Sequence, residues 1–564
     1  MLKLKIGIED FGNRLIFKLK SDEISSIIKM ISEKNSKKGE EVSMKSKDSM
    51  KEYFGNSNVK SLKAVGNGIV IGMLAGLVAV LYRFLLGKGE VLLRYMGSWS
   101  KQSIFHGICW FLILGMISFV VAKLIKWEPM ISGSGIPQIS GEVKGYLNPS
   151  WWKILIAKII GGTLCIIGGL SLGREGPSVQ LGGMAGKGYA KATKQDETKE
   201  KQFISCGASA GLSAAFNAPL SGLMFSLEEI HKNFSSSVLV TTLIATVVAD
   251  FVSKTVFGLN TVFGFELEKV LPLSHYPLLV LLGAILGMCG VIYNKVTLEI
   301  QSLYKKIPAS KMELRVIIPF FIAGVLGFLC PQVLAGGHTM IELLEEKPEL
   351  LVLLFLLLLK FIFSAVCFGS GAPGGIFFPL LILGSYVGAI FGTISIEYFQ
   401  VDASFMNNFI ILSMAGLFTG IVRAPITGII LVTEMTGGFS HMLSLAVVSM
   451  VAYVVANLCH SEPIYDSLLS RILAGKKVKE VKVNKKKMLL EFTVANGSPL
   501  IHQQIKDVDW EDCLVVEIRR GEEEIITKGT TTIKRGDQLV FLVESNGLSN
   551  YHKKLSKLCS GEEA

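Results

Sequence analysis

Ser171-Leu-Gly-Arg-Glu-Gly-Pro-Ser-Val-Gln180 sets two opposite charges, Arg174 and Glu175, between glycines inside a long apolar run. Ile154 to Leu172 upstream is almost uncharged, and Leu181-Gly-Gly-Met-Ala-Gly186 follows downstream. A charge at membrane depth costs at least ~3 kcal/mol on insertion scales, so it is rarely idle. Proline suits the first turn of a helix, and glycine lets the chain break just before it. The stretch therefore predicts a helix that begins inside the membrane, its free N–H groups and positive dipole end aimed at something negative. Glu175 is placed to be that negative group itself. Taken alone, the stretch fits equally well a broken helix with a structural Arg–Glu pair.

Working outward, the class is set by composition. The chain has 564 residues, 50% hydrophobic and 18% charged, with a mean hydropathy of +0.49. That is too apolar and too long for one soluble core. Apolar windows of about 20 residues, each long enough to cross a bilayer, recur at Val65–Leu86, Ile104–Ile125, Trp152–Leu172, Val238–Phe257, Pro277–Val296, Val316–Val333, Leu350–Phe368, Phe409–Val432 and Leu443–Cys459. The expected fold class is an all-α polytopic membrane protein, with no cleavable signal peptide in the lysine-rich start. The net charge of +11 does not point to nucleic acid, because the Lys/Arg clusters lie at the two ends, Lys3 to Lys63 and Lys476 to Lys487. By the positive-inside rule both termini face the cytoplasm of a cell-membrane protein. The nine cysteines are scattered, without the spacing of a disulfide framework or a metal site. Residues 1–60 form an N-terminal extension: Leu2 to Ile8 alternates like a strand, Asp22–Ile31 has a helical pattern, and Ser36–Ser57 reads as charged and disordered. Met44 and Met50 are candidate alternative starts.

Residues 61–472 contain a repeat, with halves at about 61–260 and 270–472. Ala210-Gly-Leu212 precedes Ala218-Pro-Leu-Ser-Gly222 and Glu228; Ala415-Gly-Leu417 precedes Ala424-Pro-Ile-Thr-Gly428 and Glu434. A Gly/Pro break stands ahead of each, Gly173–Pro177 in the first half and Gly374-Gly-Ile-Phe-Phe-Pro379 in the second. Matching interruptions in two halves point to a transport site at their interface. A third break, Gly133-Ser-Gly-Ile-Pro137, adds a hydroxyl and another helix start. Positive helix ends and hydroxyls suit an anion held weakly enough to be released.

These motifs, together with Tyr465 in Glu462-Pro-Ile-Tyr-Asp466, resemble the CLC family of chloride channels and proton-coupled chloride antiporters, over residues 61–472. The resemblance implies inverted-topology halves, a homodimer in a lipid bilayer with one pore per subunit, and chloride and protons as substrates. Carried over residue by residue, it makes the Ser134 hydroxyl, the Tyr465 phenol and the backbone amides of Ile376 and Phe377 the anion ligands. Without it, Tyr465 reads as an interfacial aromatic. Glu175 resembles the gating glutamate, filling an anion site as a carboxylate and swinging out when protonated, with Arg174 as its support. Glu228 and Glu434 occupy matched places in the repeat, which predicts a shared structural job such as satisfying a helix end. Glu229 has no counterpart, since Met435 stands there. It matches the family's inner proton-transfer glutamate, which channels of the family usually lack. Two carboxylates on opposite sides of the barrier give a proton its own route; read alone, Glu229 is a solvated acid at a helix end. Serine at position 134 favours chloride over nitrate, because the plant nitrate exchangers carry proline there.

After a basic linker at 473–487, the pattern changes to short alternating strands at Leu489–Val494, Cys513–Arg519, Glu524–Thr527 and Gln538–Val543, with a polar helix candidate at Pro499–Val508. Residues 488–555 thus form a small α+β cytoplasmic domain. It resembles the TrkA-C (RCK-C) domain of bacterial potassium-transport regulators, with Ile533-Lys-Arg-Gly-Asp-Gln-Leu539 as the best string. That likeness implies a cyclic dinucleotide as ligand; a dimerising β-domain without ligand is the alternative. The expected function is proton-linked, voltage-sensitive chloride antiport. A passive chloride channel, and a ligand-sensing subunit of a partner transporter, are the rivals. No Walker loop, HExxH or nucleophile elbow supports an enzyme, and beyond bound chloride and the dinucleotide no cofactor or metal is implied.

Overall fold

The computed structural model describes residues 40–231, 236–259, 269–346, 348–475, 487–510, 513–521, 523–544 and 548–560. They fall into two compact units that divide between Arg471 and Ile472. The strand and helix expected at Leu2–Ile8 and Asp22–Ile31 lie outside the described residues.

The first unit is all helix. In chain order the helices are α1 (Glu40–Ser100), α2 (Ile104–Trp127), α3 (Ile136–Val143), α4 (Trp151–Ile167), α5 (Glu175–Ala192), α6 (Glu197–Phe216), α7 (Pro219–Phe225), α8 (Ser236–Phe257), α9 (Tyr276–Lys305), α10 (Met312–Leu329), α11 (His338–Glu345), α12 (Leu350–Gly369), α13 (Phe377–Phe399), α14 (Met406–Val422), α15 (Pro425–Thr436), α16 (Met442–Leu458) and α17 (Ile464–Gly475). Among the described residues eight helices are long and apolar enough to cross a membrane. Two expectations fail here. From Glu40 onward the charged stretch is helical rather than disordered, because it contains no proline and a single glycine, Gly55, and so can extend the apolar helix that follows it. The window Phe409–Val432 is not one span: Arg423 turns left-handed at φ +70° and Pro425 opens a new helix at its first turn.

The two halves are an inverted repeat, and they cap each other. Glu228, from the turn after α7, accepts the Ile426 and Thr427 amides at 3.2 and 2.8 Å, at the start of α15. Glu434, at the end of α15, accepts the Leu220 and Ser221 amides at 3.0 and 2.8 Å, at the start of α7. Each acid thus satisfies the orphan donors of the other half's helix and sits at its positive end. Glu228→Ala should cost about 2 kcal/mol, the loss of two charge-assisted cap bonds. Thermal unfolding in detergent would show it, and an unchanged midpoint would contradict this reading.

A second matched pair escaped the sequence reading. Lys158 on α4 and Lys360 on α12 are fully buried. Lys158 Nζ donates to the carbonyls of Ile131 and Gly133 at 2.7 and 2.6 Å. Lys360 Nζ donates to those of Val333 and Ala335 at 2.8 and 3.1 Å. The sequence offsets are the same in both halves, 27 and 25 residues. Each lysine ties down the loop that leads into a short helix, α3 or α11, whose cap glycine, Gly135 or Gly337, stands at φ near +100°. A lysine inside an apolar window is the signal that would have found them.

The second unit is a four-stranded antiparallel sheet, β1 (Lys487–Thr493), β2 (Leu514–Arg520), β3 (Glu523–Ile526) and β4 (Gln538–Glu544), in the order β1-β4-β2-β3. A final helix, α18 (Leu548–Ser560), seats Leu555 and Cys559 in the core with Val515, Ile518, Leu539 and Phe541. The helix expected at Pro499–Val508 does not form. His502 is left-handed at φ +70°, and the amides of His502, Ile505 and Lys506 bond to Ile533, Thr531 and Gly529 instead of to their own segment. The Arg520 guanidinium grips the buried Asp537 carboxylate through two 2.8 Å contacts, and the Lys534 amide adds a third. Burial alone would raise the pKa of Asp537 above the ordinary carboxylate range. The Arg520 fork and the Lys534 amide outweigh it and hold Asp537 below that range.

Candidate functional site

The three Gly/Pro breaks meet. Gly173 and Gly375 exchange backbone hydrogen bonds of 2.7 and 2.8 Å. Gly133 accepts from the Gly374 amide at 3.1 Å and donates to the Ala372 carbonyl at 3.3 Å. These bridges hold the starts of α3, α5 and α13 together at the junction of the two halves. Close approach is what the glycines permit. A methyl group on Gly176 would lie 3.0 Å from the Ser134 carbonyl oxygen and closer still to its hydroxyl. One on Gly135 would strike Gln180 at 2.6 Å, besides straining φ +100°.

Ser134, Glu175, Ile376, Phe377 and Tyr465 are all buried. Ile376 caps α13 and Phe377 is its first residue, so their amides belong to the orphan donors of that helix start. The hydroxyls of Ser134 and Tyr465 have no protein atom in hydrogen-bond geometry. An unsatisfied buried hydroxyl costs about 1–3 kcal/mol, and two of them beside a helix start suit an anion that accepts from both. The Tyr465 phenol faces the Ser134 hydroxyl and lies within electrostatic reach of Glu229, Tyr293 and Glu175. The Glu175 carboxylate faces Arg174 and the amides of its own residue, Phe378 and Arg174. The Arg174 Nε lies 3.6 Å from Glu175 Oε1, near but outside a hydrogen bond. Glu175 therefore occupies ground that an exogenous anion would favour.

Glu229 lies in a π-helical turn, Ser226–His231, after α7. It is 3% exposed, which excludes a solvated helix-end acid. Both glutamates line a cavity of ≈ 360 Å³ with Arg423, Tyr453 and Pro463, but the Glu228 carboxylate is committed to the α15 cap. π-turns are rare and collect at functional sites. Here the widened turn puts two consecutive glutamates to different uses. The sequence reading also passed over Glu90 and His338, which approach Glu175 from the side of α1 and α11. Nothing in their local pattern singles them out.

Inverted halves, broken helices and converging helix starts inside a bundle of apolar helices define a membrane transport protein. The chain belongs to the voltage gated chloride channel (CLC) family, whose model matches residues 117–457, and it carries a TrkA-C domain at 489–556. It is 34% identical to the H(+)/Cl(-) exchange transporter ClcA of Vibrio cholerae over 424 residues, which is 73% of this chain and 90% of that protein. It is 32% identical to ClcA of Vibrio campbellii, across 77% of this chain and 95% of the relative. Among solved structures it is similar to a slow cyanobacterial Cl-/H+ antiporter, with TM-score 0.69 and 27% identity over 73% of this chain and 99% of that one. A CLC-type fluoride/proton antiporter shares the fold at TM-score 0.59 and 22% identity.

Proposed function

We propose that the protein exchanges chloride for protons across the membrane. The observation that carries this reading is the pair of buried acids, Glu175 at the start of α5 and Glu229 in the π-turn, both within electrostatic reach of the Tyr465 phenol. The relatives named as H(+)/Cl(-) exchange transporters support it. Chloride is held by the Ser134 and Tyr465 hydroxyls and by the Ile376 and Phe377 amides, with Glu175 competing for the upper part of the same path. Protonated, Glu175 loses its charge and its hold on the helix end, and chloride takes its place. The proton leaves towards Glu229, which is not itself one of the anion ligands. Reconstituted vesicles test this: an outward chloride gradient should drive protons uphill, recorded by an external pH electrode, whereas a passive channel moves chloride with no such uptake.

The anion ligands have their own test. Ser134→Ala combined with Tyr465→Ala removes both hydroxyl donors. Chloride affinity by calorimetry should fall roughly a hundredfold, about 3 kcal/mol for two hydrogen bonds to a charged ligand. Unchanged affinity would exclude both side chains as ligands.

The working unit in this reading is a homodimer in the cell membrane. Each subunit holds a complete pore, because every proposed pore residue lies on one chain. Both termini face the cytoplasm in this reading, which the lysine clusters at 3–63 and 476–487 support by the positive-inside rule. The second unit is a regulatory domain of limited core, stabilised by pairing with its twin, and a cyclic dinucleotide in the cleft between two copies is the ligand we assign to it. Deleting everything after Lys487 should leave transport intact and abolish any response to cyclic di-AMP. A full-length protein that neither binds nor responds to the dinucleotide would remove the regulatory assignment.

A further inference from the structure

The approach to Glu175 from the side of α1 and α11 is narrow and lined by charges of both signs. A cavity of ≈ 20 Å³ touches Glu175, Arg174 and Phe378 on one side and Glu90 and His338 on the other. That is room for about one water molecule. A second cavity, of ≈ 400 Å³, continues from there past Arg94, Lys101 and Thr339. Glu90 and His338 are the two residues that line both. Glu90 projects from α1, and His338 opens α11, the counterpart in the second half of the short helix that carries Ser134 into the anion path. His338 Nδ1 stands 3.8 Å from Glu90 Oε1, without a hydrogen-bond partner of its own. Its ring stacks on Phe378 at 4.5 Å and 27°, and the Phe378 amide faces Glu175.

We propose that Glu90 and His338 form the outer proton port of Glu175, receiving protons from the larger cavity and passing them through the smaller one; this rests on the exchange reading above. Two carboxylates, Glu90 and Glu175, flank a space of one water and offer a proton two acceptors. The surrounding charges are Arg83 and Arg94 on α1, Arg174 at the start of α5 and Lys360 on α12. They offset the carboxylates electrostatically and, as cations, do not accept a proton from water. The step balances simply. A proton passes from outer water to the Glu90 carboxylate, with His338 beside it as a neutral partner, then through one water to a Glu175 oxygen, leaving Glu175 neutral and the port restored. The reverse sequence discharges it.

The test uses the full-length protein in vesicles, with Glu90→Gln and His338→Gln made singly and together, and pH varied on each face in turn. The double variant should slow coupled exchange about a hundredfold, the scale of losing a placed proton-transfer group, most strongly at alkaline pH on one face. In a Glu175→Ala background, where no proton route remains, the Glu90 change should not slow chloride flux, because it removes a negative charge from the approach. The proposal is overturned if coupled exchange keeps its rate and pH profile in the double variant. It is also overturned if chloride flux falls equally in the Glu175→Ala background, which would mark general damage to the pore. An unmodified protein that moves no protons would refute the exchange reading first and take the port with it.

Discussion

Glu175→Ala should abolish proton pumping and leave chloride flux running. The side chain is fully buried at the first residue of α5, with its carboxylate turned back on the amides of the helix start and of Phe378. In that position it is both the plug of the anion path and the group that carries the proton. Removing it opens the path to chloride and deletes the acceptor, so proton uptake should fall by about two orders of magnitude, to the leak of the vesicles. Glu175→Gln should behave alike, since an amide mimics the protonated acid in shape and charge. Arg174 has only the long 3.6 Å contact to lose, so folding should survive both changes. Uphill proton movement on a chloride gradient in Glu175→Ala would end the assignment.

Glu229→Gln should give the complementary loss, with proton movement stopped and chloride flux retained. Glu229 is not placed among the anion ligands. It lines the ≈ 360 Å³ cavity with Arg423 and Tyr453 and reaches the Tyr465 phenol only electrostatically. The substitution is close to isosteric and leaves the Glu228 cap of α15 in place. Proton flux should drop about a hundredfold or more while chloride flux changes by less than about threefold, on the scale of a single screened charge. The two neighbours therefore separate by readout: Glu229→Gln alters coupling at constant stability, and Glu228→Ala alters stability. A well-folded Glu229→Gln protein with normal coupled exchange would return Glu229 to a purely structural role.

The sequence carried the site further than it carried the fold around it. Gly133–Pro137, Gly173–Pro177 and Gly374–Pro379 were legible because glycine before proline in an apolar run has few explanations other than a helix start. The matched acids Glu228 and Glu434 were legible as capping groups, because an acid repeated at the same place in two apolar halves needs a structural reason. Their reciprocal exchange between halves was not, since no local pattern states which half supplies the partner. Lys158 and Lys360 were hidden because one lysine does little to the hydropathy of a 20-residue window. The break at Arg423 was hidden for the same reason: Phe409–Val432 stays apolar through a left-handed residue that its composition does not forbid. In the second unit the strands fell within two residues of their observed ends, because alternation is a strong signal. Pro499–Val508 misled because its partners, Gly529, Thr531 and Ile533, are distant in sequence, and α18 was passed over although it closes the core. Glu90 and His338 belong with the lysines as residues whose meaning depends on what folds against them.

The most direct test of the account is the reversal potential of the reconstituted, unmodified protein, measured at fixed chloride gradient while the pH difference across the membrane is stepped. Exchange through Glu175 and Glu229 predicts that the zero-current voltage moves with each pH step, in the direction set by protons travelling opposite to chloride, and that the movement disappears in Glu175→Ala. A reversal potential that stays at the chloride equilibrium value at every pH difference would contradict it and make the protein a passive chloride channel.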